Sequence, residues 1–200
     1  MLDLIFSIAV LIMSVVIHEV SHGALANLLG DQTAKDAGRL TLNPLKHLDP
    51  FGSVLLPFIT YLLGGFIIGW AKPVPYNPYN LSNQRWGPAL VGAAGPGSNI
   101  LIALAFSLVV RSLDGALPAS LAEILTTIIL INILLAIFNL VPIPPLDGSK
   151  VLFALLPASF YRLQGFLEEY GFFLLLIFIF LLWRWLLPLV FFIFRIFVGA

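Results

Sequence analysis

Three stretches of this 200-residue chain go without a charged residue for as long as a bilayer is thick. Pro50–Ala71 runs 22 residues between Asp49 and Lys72, Trp86–Val110 runs 25 between Arg85 and Arg111, and Ile124–Leu146 runs 23 between Glu123 and Asp147. A helix needs about 20 apolar residues to cross a hydrocarbon core about 30 Å thick. In lipid every backbone N–H and C=O must be satisfied within the protein. Runs of this kind admit one fold class, an all-α bundle of membrane-spanning helices. Leu4–Leu29 and Tyr170–Val198 extend the set, the latter apolar except for Arg184 and Arg195. Trp183 and Trp185 flank Arg184 as an interfacial anchor and Pro188 follows, so a span over about 170–187 and a short helix beyond it are expected. The count is therefore five to six transmembrane helices. A short strand-like element is expected in the first polar loop, at Gly-Arg-Leu-Thr-Leu, residues 38–42, ahead of the Asn43-Pro44 turn.

Composition closes off other classes. Apolar residues make up 60% and charged residues 10% of the chain, against roughly 45–50% and 25% in soluble domains. The formal net charge is zero, which leaves no basic surface for nucleic acid, and with no cysteine the strong metal ligands are confined to His, Asp and Glu. The opening Met-Leu-Asp-Leu-Ile-Phe carries Asp3 and no basic residue, so the first apolar segment is expected to be a mature helix rather than a leader. The whole of 1–200 reads as a single integral-membrane domain, with a catalytic core over about 1–155 and hydrophobic helices over about 160–198.

Into the first apolar segment the chain sets His18-Glu19-Val20-Ser21-His22, two of its three histidines. On a helix, positions i and i+4 lie about 40° apart, so both imidazoles share one face. That is the spacing of an H-E-x-x-H metal helix, with two Zn²⁺ ligands and the glutamate as general base. His18 lies roughly 21 Å along the helix from Leu4, well inside the bilayer. There each ionisable group costs at least about 2.5–3.5 kcal/mol unless a cavity or partner compensates it. A metal ion supplies that compensation. Polar glue between helices and a proton relay are the plainer readings.

A catalytic zinc takes three protein ligands and keeps one position open. His47 lies in a polar loop and would have to fold back. Asp147 is the better third ligand: it ends an uncharged run and follows Pro142, Pro144 and Pro145, which break the helix at membrane depth. The helix motif together with Asn139-Leu-Val-Pro142-Ile-Pro-Pro145-Leu-Asp147-Gly148 resembles the site-2 protease family of intramembrane zinc metalloproteases, and Ala93–Asn99 resembles that family's small-residue helix. The resemblance covers about residues 1–155. It implies one Zn²⁺ per chain held by His18, His22 and Asp147, with Glu19 as catalytic base. It also implies substrate contacts from Asn139, Pro142 and Pro145, and membrane-protein substrates with a transmembrane segment. A prokaryotic plasma membrane is the expected location. The backbone over 140–146 is expected to pair with an unwound substrate by strand addition. The rival class is an ion- or proton-coupled carrier built on the same His, Glu and Asp groups. It is weakened because only one broken segment is visible where carriers use paired ones.

Overall fold

The computed structural model describes residues 2–64, 69–113 and 116–199. Among these the regular structure is helical and no strand occurs. The long helix α1 (Leu2–Leu28) is followed by the short α2 (Thr33–Asp36). A π turn over Pro50–Leu55 leads into α3 (Leu56–Gly64). Then come α4 (Gly87–Ser112), α5 (Ala119–Asn139), the short α6 (Asp147–Leu155), α7 (Tyr161–Ile177) and α8 (Trp183–Val198).

Four helical stretches are long and apolar enough to cross a membrane, namely Ile5–Leu28, Gly87–Ser112, Ala119–Asn139 and Tyr161–Val198. Helix α4 is the hub, packing against α1, α5, α6 and α8. Between α4, α5 and α8, Ala103, Ile129, Ile133, Ile137 and Val190 form one buried core. A second, smaller core joins Ala26 of α1 to Val91 of α4 and Leu81 of the intervening loop. Small residues on α4 permit this crowding. Pro96 sits inside the helix, where it removes a backbone donor.

Several expectations change. The run Pro50–Ala71 is not a crossing. Asp49 caps its first turn by accepting from Gly52 N–H, and the Trp70 N–H donates to Gly52 O at 3.0 Å, so the chain returns to where it left. Residues 65–68 of that run lie outside the described residues. Freedom from charge measures compatibility with lipid, not length of helix. The strand expected at 38–42 is absent. Gly38 turns at φ +61° and the Arg39 side chain is buried against the backbone of residues 72 and 73, with no partner strand to pair with. At the C-terminal end the helix starts at Tyr161 rather than near 170. It runs on through a π turn, Phe178–Leu182, with Pro188 inside α8. Along the C-terminal helices Phe172, Phe173, Phe180, Phe191 and Phe192 are exposed, whereas Phe178 is 4% exposed and packs on Phe138 and Trp183.

Candidate active site

His18 and His22 stand one turn apart on α1, both buried, with ring centroids 4.7 Å apart. The third group comes from far along the chain. Helix α5 stops at Asn139 because Pro142, Pro144 and Pro145 cannot continue it, and α6 starts at Asp147. Between them the chain is folded so tightly that a Cβ on Gly148 would overlap the carbonyls of Leu140 and Val141. Only glycine fits, and that turn points Asp147 at α1. Asp147 Oδ2 lies 3.0 Å from His18 Nε2 and 3.1 Å from His22 Nε2. The first turn of a helix is also where a carboxylate is favoured by the helix dipole.

The tautomers follow from the outer hydrogen bonds. His22 Nδ1 is 2.6 Å from Val91 O, and a carbonyl only accepts, so Nδ1 carries the proton and donates it. For His18 the chain of inference is longer. Asn132 Nδ2 donates to Ile128 O at 2.9 Å, which fixes its amide and turns Oδ1 toward Asn99. Asn99 Nδ2 donates to that oxygen at 2.8 Å and to Ser14 O at 3.3 Å, so Asn99 Oδ1 accepts from His18 Nδ1–H at 2.6 Å. Both asparagines are fully buried. Outer partners of this type orient metal-binding imidazoles.

With Nδ1 engaged on both rings, the two Nε2 atoms and one carboxylate oxygen converge on one point. A metal cation satisfies all three together when both Nε2 atoms are unprotonated. Tetrahedral Zn²⁺ with bonds of about 2.0–2.1 Å places its ligand atoms about 3.3–3.4 Å apart, close to the 3.0 and 3.1 Å found here. One side of the group is walled by α4, for a Cβ on Gly95 would lie 2.5 Å from both Nε2 atoms. The donor set therefore fits zinc, with His18, His22 and Asp147 able to hold it.

The other side opens on a cavity of about 180 Å³ lined by these three residues, Glu19, Asn139, Pro145, Lys150, Tyr76, Pro73 and Val74. Glu19 Oε2 accepts from the Val74 N–H at 2.8 Å. Val74 belongs to a strap, residues 69–77, that crosses the cavity without regular structure. The strap is tied down along its length. Lys72 N–H donates to His47 O at 2.8 Å, the buried Arg39 guanidinium donates from Nη2 to Lys72 O at 2.8 Å, and Asn77 N–H donates to Asp31 Oδ2 at 2.7 Å. Asp31 is wholly buried. Burial opposes its ionisation, but hydrogen bonds from Thr33, Asn80 and Asn77 outweigh that and hold it below the usual carboxylate range.

Of the residues singled out in the sequence, His18, Glu19, His22, Asn139, Pro145 and Asp147 meet at this cavity, while Pro142 is not among its lining. His47 lies apart, its Nε2 donating to Thr41 O at 2.8 Å. Sequence reasoning missed Lys150, whose Nζ is 2.9 Å from Asp147 Oδ1, although its place three residues after Asp147 at a helix start was a readable signal. It also missed the Val74 N–H, which no side chain announces.

Comparison with known proteins agrees with this chemistry. Residues 114–182 match the family model of Peptidase family M50. Two relatives bearing the name "Putative zinc metalloprotease" align over most of the chain. They are YwhC of Bacillus subtilis, 39% identical over 86% of this chain and 78% of its own, and Rip2 of Mycolicibacterium smegmatis, 30% identical over 95% and 73%. Rip2 of Mycobacterium tuberculosis is 29% identical over 70% of this chain and 53% of its own. No solved structure matches.

Proposed function

Because the chain belongs to peptidase family M50, the site-2 protease family of membrane zinc metalloproteases, we propose that it is an intramembrane endopeptidase. Its substrates in this reading are membrane proteins, cut within or beside a transmembrane segment. We assign one zinc per chain to His18, His22 and Asp147. Its bacterial relatives favour the plasma membrane of a prokaryote as its location. One observation carries the reading: two imidazoles with their Nδ1 protons engaged elsewhere and a buried carboxylate converge on one point beside a glutamate-lined cavity.

Bound zinc supplies Lewis acidity, which activates a water and polarises a carbonyl. The protein's own groups do the rest. Glu19, held at Oε2 by Val74 N–H, takes the proton of the attacking water at Oε1 and returns it to the leaving peptide nitrogen. Asn139 donates one amide hydrogen to Leu135 O at 2.9 Å, and its remaining hydrogen and Oδ1 orient the substrate backbone. A substrate helix conceals its peptide bonds in its own hydrogen bonds and must unwind first. The backbone over 140–146, expected to receive it, has its donors engaged: Val141, Ile143 and Leu146 N–H bond to Phe138, Val141 and Ile143 carbonyls, and the prolines have none.

The test is metal analysis and cleavage together on the purified full chain, with a single-span membrane protein as substrate. About one zinc per chain, lost in His22→Ala, and cleavage abolished in Glu19→Gln with its zinc retained, are expected. A wild-type protein that folds, holds no zinc and cuts nothing would refute the proposal.

A further inference from the structure

The two oxygens of Asp147 face different partners. Oδ2 meets the imidazoles at 3.0 and 3.1 Å, and Oδ1 meets Lys150 Nζ at 2.9 Å. The lysine is confined where it stands. A Cβ on Gly92 would lie 3.0 Å from Lys150 Cβ and Cδ, so the aliphatic stem is pressed on α4, and the ammonium sits 5.5 Å from the Tyr76 ring centroid.

A carboxylate can hold a divalent ion through one oxygen or through both. Binding through both would add a donor, crowding the position that a hydrolytic centre keeps for water and raising the coordination number above four. A charge-assisted hydrogen bond to an ammonium is strong and directional, and here it engages the second oxygen. We propose that Lys150 is a positioning residue that restricts Asp147 to one-oxygen coordination and so keeps a coordination position open for the reacting water. This rests on the zinc-protease reading above. Lys150 acts through Asp147 and is not assigned contact with the substrate.

The experiment replaces zinc by Co²⁺ in the purified full-length protein and records visible absorption, because four-coordinate Co²⁺ absorbs far more strongly than five- or six-coordinate Co²⁺. Wild type and Lys150→Arg should give the intense four-coordinate band. Lys150→Met should bind Co²⁺ with a clearly weaker band, and its zinc form should lose about 10–100-fold in kcat, the usual effect of removing an outer-shell partner, with KM little changed. Lys150→Leu serves as the second uncharged variant should methionine prevent folding. A wild-type spectrum in the uncharged variants overturns this inference alone. Failure of the wild-type protein to take up Co²⁺ overturns it together with the metal assignment beneath it.

Discussion

Gly95 and Gly97 lie two residues apart on α4, and one substitution should have opposite consequences at the two positions. A methyl at Gly95 would begin 2.5 Å from Nε2 of both His18 and His22, whereas ordinary contact starts at 3.4 Å, so either the imidazoles or the helix must give by about 0.9 Å. Metal ligands tolerate about 0.2 Å, and α1 cannot yield locally while His22 is bound to Val91 O and His18 to Asn99. At Gly97 nothing lies within 4 Å of the added carbon. Gly95→Ala should therefore lose at least 100-fold in zinc affinity, with an overpacking cost of about 1–3 kcal/mol. Gly97→Ala should keep wild-type zinc binding and gain up to about 1 kcal/mol from helix propensity. Zinc competition against a chelator of known affinity reads the first effect, and thermal melting followed by helical circular dichroism reads the second. Wild-type zinc affinity in Gly95→Ala would refute the claim that α4 backbone forms the wall of the metal site.

Three further outcomes are expected. Asn99→Leu removes the acceptor that holds the His18 tautomer and should weaken zinc binding about 10–100-fold, read by the same competition. Arg39→Met releases the carbonyls of Lys72 and Pro73 at a cost of about 1.5–3 kcal/mol. It should lower cleavage while zinc content stays at the wild-type level, since the strap donates a hydrogen bond to Glu19 and, among the described residues, makes none to the three acceptors. Asp31 has its folded pKa below the ordinary value of 3.8. Its contribution to stability is therefore complete above that value and is lost as pH falls through the depressed one. Thermal melts between pH 3 and 7 should show an acid-limb loss that Asp31→Asn flattens, together with a lower melting temperature near neutrality.

Much of this was legible in the chain because ionisable groups in lipid are expensive. His18, Glu19, His22 and Asp147 stand out against apolar neighbours in the sequence and line one cavity in the structure. The helices over 87–112 and 119–139 differ from the charge-free runs mainly where prolines intervene, so Pro142 and its neighbours end α5 at Asn139 while the uncharged run continues to Leu146. The run from Pro50 was misread because absence of charge is shared by a crossing helix and by a segment that turns back. Arg39 belongs to the segment expected as a strand, yet it is buried and holds the strap, and only the tertiary meeting of two loops assigns it that work. Gly95 and the Val74 amide carry no side-chain signal. Their roles exist only once α4 and the strap have been brought against α1.

The order of residues along the chain also sets the order in which the centre can be built. His18 precedes Asn99 by 81 positions and Asp147 by 129. At about 5–20 residues per second of synthesis, α1 spends on the order of 6–26 s in the bilayer before its carboxylate partner has been made. Asn99 and Asn132, which orients its amide, both come before Asp147 in the chain, so the hydrogen bonds that fix the imidazole's proton can form ahead of it. The nascent protein thus acquires the correct tautomer first and the capacity to bind an ion afterwards, so hydrolytic competence arrives only when most of the bundle exists to contain it.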